Sequence, residues 1–275
     1  MKTQLLSFFL SLFSTGLVHS QVYMYGTTSA GGANGYGTIY RVDQNGQNFE
    51  KLFDFSQATG GKPFGGLTLA NGKLYGFTTE GGQIVNSGAI IAAGTFYEFN
   101  PIDNSFNVIE YIDDKSVIGN TFNSAPTLGS NGLLYSLSEL VEIGTPANVL
   151  SSFDPVNATF TAIDTIPSAQ YGQGKSKLLY ASDGNLYWTS TGGPGVGSGQ
   201  IIKFDLTTNQ PVSLHTSSWS LNTPGDYNGA RNNPLFEALN GSLFGTSFLG
   251  GQSQGGGTMF RIDKDGTNFI QIYNP

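Results

Sequence analysis

"GTIYRVDQNGQNF" occupies Gly37–Phe49 and returns as "GTMFRIDKDGTNF" at Gly257–Phe269. In both copies a strand-like apolar run leads into Asp-x-x-Gly, a turn signal, and a second apolar run follows. The phrase therefore reads as strand, turn, strand. Its recurrence near both ends of the chain marks it as part of a repeated structural unit.

The other half of the unit is "MYGTTSAGG" at Met24, "LYGFTTEGG" at Leu74, "LYSLSE" at Leu134, "LYWTSTGG" at Leu186 and "LFGTSFLGG" at Leu243. Its aromatic residues Tyr25, Tyr75, Tyr135, Tyr187 and Phe244 lie 50, 60, 52 and 57 positions apart. Five units of about fifty-five residues follow, spanning 22–62, 63–124, 125–175, 176–232 and 233–275. In units two to five the Leu-aromatic pair is preceded by a short apolar run and Asn-Gly or Asp-Gly, as in "GLTLANGKLYG", a dipeptide that favours the type I′ hairpin turn. Each full unit thus supplies four consecutive strands A to D, with the quoted phrase forming the C–D hairpin. The fold class expected is all-β, a β-propeller of about five four-stranded antiparallel blades. The first unit begins directly at strand B. Either its blade stays three-stranded, or the chain is the front part of something longer. The five aromatics are expected between blades.

The pattern Leu-Tyr-Gly-Thr-Thr, Gly-Gly, then Gly-Thr-[Val/Ile/Met]-[Phe/Tyr] resembles the Gloeo/Verruco (GloVer) repeat of secreted bacterial proteins. The resemblance runs over residues 22–275. It is specific in units one, two and five, weaker in four, and degenerate in three, where Ser136 follows Tyr135 in place of glycine. It implies an exported bacterial propeller-like protein and supplies no catalytic residues.

Residues 1–20, "MKTQLLSFFLSLFSTGLVHS", combine Lys2, an apolar stretch and Val18 with Ser20 before Gln21, the make-up of a cleavable secretory signal. The remainder is expected to be secreted or at the cell surface, after periplasmic transit, with no membrane span. The formal charge is −7, and loss of Lys2 with the signal leaves −8, which argues against nucleic acid or an anionic membrane as partner. There is no cysteine, so neither disulfides nor a thiolate zinc site enters the reading. Only 11% of residues are charged while glycine numbers 39, a balance that suits short strands and tight turns.

Strand alternation sends the A–B and C–D turns to one rim and the longer B–C and D–A loops to the other. Binding residues concentrate in loops held by a rigid scaffold, so a ligand site is expected on the long-loop rim. The loop 217–233 is richest, with Trp219, Asp226, Tyr227, Asn228 and Arg231, a mixture of stacking face, acceptors and guanidinium fork that suits a glycan. Neighbouring loops contribute Asp113, Asp114 and Tyr171.

Other chemistries are thinner. His215 is the single histidine after residue 20, and no Gly-x-Ser-x-Gly elbow accompanies it. "DKDG" at Asp263–Gly266 lacks the full calcium-loop pattern and reads as a turn. "TGGPGVGSGQ" lacks the Gly-Lys-Ser/Thr of a phosphate cradle. Asn157 and Asn240 head sequons that matter only in a glycosylating host. Glu80, Asp113, Asp114, Glu139 and Glu142 could offer the carboxylate pair that glycoside hydrolysis requires. The reading is a non-catalytic exported module that binds or displays, with a glycan as candidate ligand and no cofactor or metal. A carbohydrate-active hydrolase or lyase using loop carboxylates and a purely structural surface module stay open, as does the oligomeric state. Intact mass of the exported protein is expected to begin at Gln21; retention of residues 1–20 would overturn the export reading.

Overall fold

The computed structural model describes residues 22–82, 94–112, 119, 121–122, 124–140, 146–174, 176–193, 199–217, 233–247 and 257–273. The expected leader lies outside them. The first sheet is β1 (Tyr23–Thr28), β2 (Thr38–Asp43) and β3 (Glu50–Asp54), in that spatial order. The second is β4 (Gly61–Ala70), β5 (Lys73–Glu80), β6 (Gly94–Phe99) and β7 (Phe106–Ile112). In the third, β8 (Thr121–Phe122) and β9 (Thr127–Leu128) both pair with β10 (Leu134–Leu140), followed by β11 (Ala147–Asp154) and β12 (Thr159–Pro167). After the one-turn helix α1 (Ser168–Tyr171), the fourth has β13 (Gln173–Gly174) and β14 (Leu179–Tyr180) beside β15 (Leu186–Thr191), then β16 (Gly199–Asp205) and β17 (Gln210–Thr216). The fifth is β18 (Phe236–Glu237), β19 (Leu243–Ser247), β20 (Thr258–Ile262) and β21 (Ile270–Tyr273). Every strand pairing is antiparallel, and each blade runs through its strands in chain order, with strand A split into two segments in blades three and four, the arrangement of propeller blades.

Four apolar clusters fill the four seams between successive blades. Strand alternation divides each blade into a face toward the preceding blade and a face toward the next. In blade two, Leu74 packs backward with Ile39 and Phe55 of blade one, whereas Tyr75 and Phe77 pack forward with Phe122 and Phe153 of blade three. Phe77 stacks on Phe122 at 3.9 Å between centroids, and Phe53 on Phe106 at 4.1 Å across the first seam.

The glycine after the aromatic has a steric cause. Gly26, Gly76 and Gly245 lie directly across from Tyr40, Tyr97 and Phe260. A Cβ on Gly76 would sit 2.5 Å from the Tyr97 hydroxyl, and one on Gly245 2.4 Å from Cζ of Phe260. One large ring of strand C therefore covers the empty position on strand B. Of the two units that depart from the motif, unit four puts the large ring on strand B, Trp188 opposite Ile202, and unit three pairs two small residues, Ser136 and Ser151, through their hydroxyls at 2.9 Å.

Gly-Thr at the start of strand C has its own reason. Gly37 and Gly94 take φ of 101° and 128°, and a Cβ would approach the carbonyl oxygens of Thr28 and Thr78 to 2.1 and 1.9 Å. The following threonine then pairs with a strand B hydroxyl: Thr38 with Thr28 at 3.0 Å, Thr95 with Thr78 at 3.0 Å and Thr258 with Ser247 at 2.7 Å. In each pair the strand C backbone N–H also donates to that strand B hydroxyl, so each loop end is closed by two hydrogen bonds to one side chain.

Two features depart from the sequence expectation. The type I′ turn forms in blade two, where Asn71 (φ 47°) and Gly72 (φ 76°) join the paired residues Ala70 and Lys73. In blades three to five the turn is one residue longer, with glycine alone at positive φ: Gly132, Gly184 and Gly241 donate to Gly129, Ala181 and Ala238. In addition, every C–D pair carries a bulge at the same place, leaving Leu52, Ile109, Ile163, Leu214 and Ile272 as the extra residue of strand D. The first four of these aliphatic side chains turn into the forward seam.

Tyr75, Tyr135 and Tyr187 are buried in the seams as expected, but Tyr25 and Phe244 are half-buried. Replacing Tyr75 or Tyr187 by alanine should cost about 3–5 kcal/mol in denaturant unfolding, and Phe244→Ala clearly less. Gly94→Ala should cost about 3 kcal/mol from the forced φ and the backbone clash. Tyr97→Phe, which removes a buried hydroxyl with no partner among the described residues, should leave stability unchanged or raise it.

Candidate functional site

The two rims differ in how their polar groups are used. On the short-turn rim, Asp43 accepts from the N–H groups of Asn45 and Gln47 and from the Asn48 amide at 2.9, 2.8 and 2.9 Å. Asp154 and Asp205 close their turns in the same way, and Asp263 accepts from Asn268, Ser242 and Arg261. These bonds hold the four carboxyl groups below their usual 3.8, led by the Gln47 N–H at Asp43 and the Asn268 amide at Asp263. In "DKDG", Asp265 accepts from the N–H and hydroxyl of Thr267, so the segment is a self-satisfied turn.

Seam tyrosines end on this rim too. The Tyr187 hydroxyl donates to Asp183 at 2.7 Å, that of Tyr75 reaches Glu98 at 3.3 Å, and the Asn131 amide donates to the Tyr135 hydroxyl at 2.8 Å. Burial first, then the Glu98 charge, pushes Tyr75 up to about 12. Glu237 receives the N–H and hydroxyl of Ser182 and the ammonium of Lys264, tying the turns of blades four and five together.

On the opposite rim, blades three and four replace the motif threonine by Asn148 and Gln200, whose longer amides reach the connection from strand D to strand A. Fully buried Asn148 donates to the Gly172 carbonyl and accepts from the Gly174 N–H, both at 2.8 Å. Gln200 donates to the Gln170 carbonyl at 2.7 Å. Tyr171, a candidate ligand residue by sequence, is half-buried in α1 and donates its hydroxyl to the Pro211 carbonyl at 3.1 Å. It fastens this loop to strand D of blade four.

Of the other candidates, Trp219, Asp226, Tyr227, Asn228, Arg231, Asp113 and Asp114 lie outside the described residues. So does Glu142. Glu80 is exposed and paired with Lys62, and Glu139 is buried on β10 between Asn148 and Thr121. His215 stacks on Phe269 at 3.8 Å, a seam contact.

Sequence reading missed Lys177. Strand A kinks midway in blades two to four: the β4 register shifts between Phe64 and Thr68, and β8/β9 and β13/β14 are separate segments. Lys177 occupies that kink in blade four, next to Ser176, whose hydroxyl bonds Thr189. It is half-buried, no described residue pairs with it, and burial lowers its pKa. A lysine in "GKSKLLY" carries no periodic signal, so only the kink reveals it. The A strands of neighbouring blades bond one another, Thr68 donating to Pro126 and Thr127 to Leu178, so Lys177 belongs to the inner layer of the array.

The depressed turn carboxylates stabilise the fold above their unfolded pKa, and this contribution disappears as pH falls through the folded values. The melting temperature should therefore hold from neutrality to about pH 5 and drop below about pH 4. Asp43→Asn with Asp263→Asn should lower it near neutrality and flatten the acid limb in a pH-resolved melting series.

The solved structures similar to this chain are β-propeller proteins. TolB from Acinetobacter baumannii is 12% identical with a TM-score of 0.55, over 92% of this chain and 52% of that one, so the chain spans about half the length of that protein. The GH74 enzyme of Niastella koreensis is 15% identical with a TM-score of 0.54, over 92% and 36%. A protein from Lactobacillus plantarum is 13% identical with a TM-score of 0.52, over 91% and 65%. At these identities the likeness is one of fold alone. No curated protein sequence matches the chain. The Gloeobacter/Verrucomicrobia repeat matches from residue 13 to residue 145, through units one and two and into unit three.

Proposed function

We propose that the protein is an exported, non-catalytic binding module that takes a glycan on its long-loop rim. The observation that carries this reading is the contrast between rims: the short turns spend their carboxylates and hydroxyls on their own backbone N–H groups and on neighbouring side chains. The opposite side carries the long connections, where Trp219 would stack on a sugar face and Asp226, Asn228 and Arg231 would meet hydroxyls. Lys177 supports it as an inner-layer ammonium without a described partner, available to a hydroxyl or acidic substituent. The half-buried pinning of α1 by Asn148, Gln200 and Tyr171 gives the neighbouring loop a rigid base, which lowers the ordering cost of binding.

A glycan array with residues 21–275, followed by calorimetry on the strongest hit, tests the reading. Trp219→Ala should weaken binding by roughly 1–3 kcal/mol and Lys177→Gln should weaken it measurably, while Asn45→Ala and Asp265→Ala leave it unchanged. Absence of any glycan hit, or equal loss from both rims in folded variants, would overturn it. Product formation from a bound glycan would establish the hydrolase or lyase reading in its place.

A further inference from the structure

Asn-Gly dipeptides begin at Asn34, Asn45, Asn71, Asn131, Asn228 and Asn240. In such a pair the backbone nitrogen of the glycine can attack the Cγ of the asparagine, because no side chain of its own stands in the path. A new N–Cγ bond closes a five-membered succinimide, the Cγ–Nδ2 bond breaks, and the proton of the attacking nitrogen leaves with the amide group as ammonia. Water then opens the ring at either carbonyl and leaves aspartate or isoaspartate. The reaction requires a glycine N–H that is not committed to a hydrogen bond and an asparagine amide free to turn toward it.

The fold treats these pairs unequally; Asn228 lies outside the described residues. In the longer turns the glycine N–H is already committed: Gly46, Gly132 and Gly241 donate to the carbonyls of Asp43, Gly129 and Ala238 at 3.0, 3.0 and 2.8 Å. Two of the asparagines there are tied as well. The Asn131 amide donates to the Tyr135 hydroxyl at 2.8 Å while its oxygen accepts from the Leu133 N–H, and the Asn240 oxygen accepts from the Ser242 N–H. Asn34 donates its amide to the Phe55 carbonyl at 3.0 Å. Blade two is the exception, because its turn has only two residues, Asn71 and Gly72, between the paired Ala70 and Lys73. Both are exposed, and among the described residues neither the Gly72 N–H nor the Asn71 amide has a hydrogen-bond partner. Apart from its chain neighbours, no atom lies within 4 Å of where a Cβ on Gly72 would stand, so water reaches the turn and ammonia leaves it freely. We propose that Asn71-Gly72 is a site of spontaneous covalent modification, converting to isoaspartate and aspartate ahead of the other described pairs. Isoaspartate adds one carbon to the backbone of a turn whose register rests on two residues. Either product also sets a carboxylate two positions from Lys73, which pairs with Glu98 at 2.8 Å. Covalent ageing thus enters the fold at the A–B hairpin of blade two.

Peptide mapping by mass spectrometry over a time course in mildly alkaline buffer tests this, with the purified protein incubated both folded and in concentrated urea. In the folded protein the peptide carrying Asn71 should gain one mass unit several-fold faster than those carrying Asn34, Asn45, Asn131 and Asn240, and backbone fragmentation should locate isoaspartate at position 71. In urea the five rates should converge, because the turn bonds that protect the other pairs are then lost. Folded protein in which any of those four leads, or in which Asn71 stays intact while the urea sample reacts, would overturn the inference. So would the same ranking in urea, which would assign the rate to local sequence and not to the turn.

Discussion

The fold depends on one steric exchange. At each seam, strands B and C of a single blade have room for one large group at a directly opposed pair of positions. Where strand C supplies Tyr40, Tyr97 or Phe260, strand B must supply glycine, because even a Cβ would intrude on the ring. The ring then fills the volume between blades, and the adjacent Leu and aromatic of strand B pack to opposite sides. Unit four reverses the exchange, with Trp188 on strand B opposite the smaller Ile202, whereas unit three places two small residues, Ser136 and Ser151, at the pair and joins them by a hydroxyl hydrogen bond at 2.9 Å.

A second constraint sits at the long-loop end of each blade. The positive φ of Gly37 and Gly94 brings strand C against a carbonyl of strand B, and the next residue seals the junction with a buried hydroxyl pair. Where a longer amide replaces the threonine, as at Asn148 and Gln200, the side chain reaches out, and both grip the one loop between blades three and four. The scaffold and the candidate binding rim are in this way linked by single residues. The same position that closes a hairpin in blade two positions a loop in blades three and four.

The short-turn rim shows how little polar capacity the protein leaves over on that side. Its aspartates are saturated by their own turns, and its seam tyrosines by neighbouring side chains. That polarity comes from strand count alone, since four antiparallel strands per blade return every D–A connection to the side of the B–C loops.

The recurrence of Gly37–Phe49 at Gly257–Phe269 was enough to read the repeat, the strand order, the two rims and the inward place of Tyr75, Tyr135 and Tyr187, because these follow from local period and turn chemistry. The glycine after the aromatic was visible, but its reason was not, since Tyr97 and Gly76 are neighbours only across the pleat. The strand D bulges were equally hidden: Leu52 and Ile109 look like ordinary strand residues until the register with strand C is known. The half-buried state of Tyr25 and Phe244 could not be read from motifs that resemble those of their buried counterparts, because burial is decided by what packs alongside and not by the motif. Lys177 likewise owes its half-buried state to a kink in strand A that no local signal announces. Sequence by itself determined what each unit is; the packing of one unit on the next, a matter of cross-strand volume and of which faces find a neighbour, was decided only by tertiary structure.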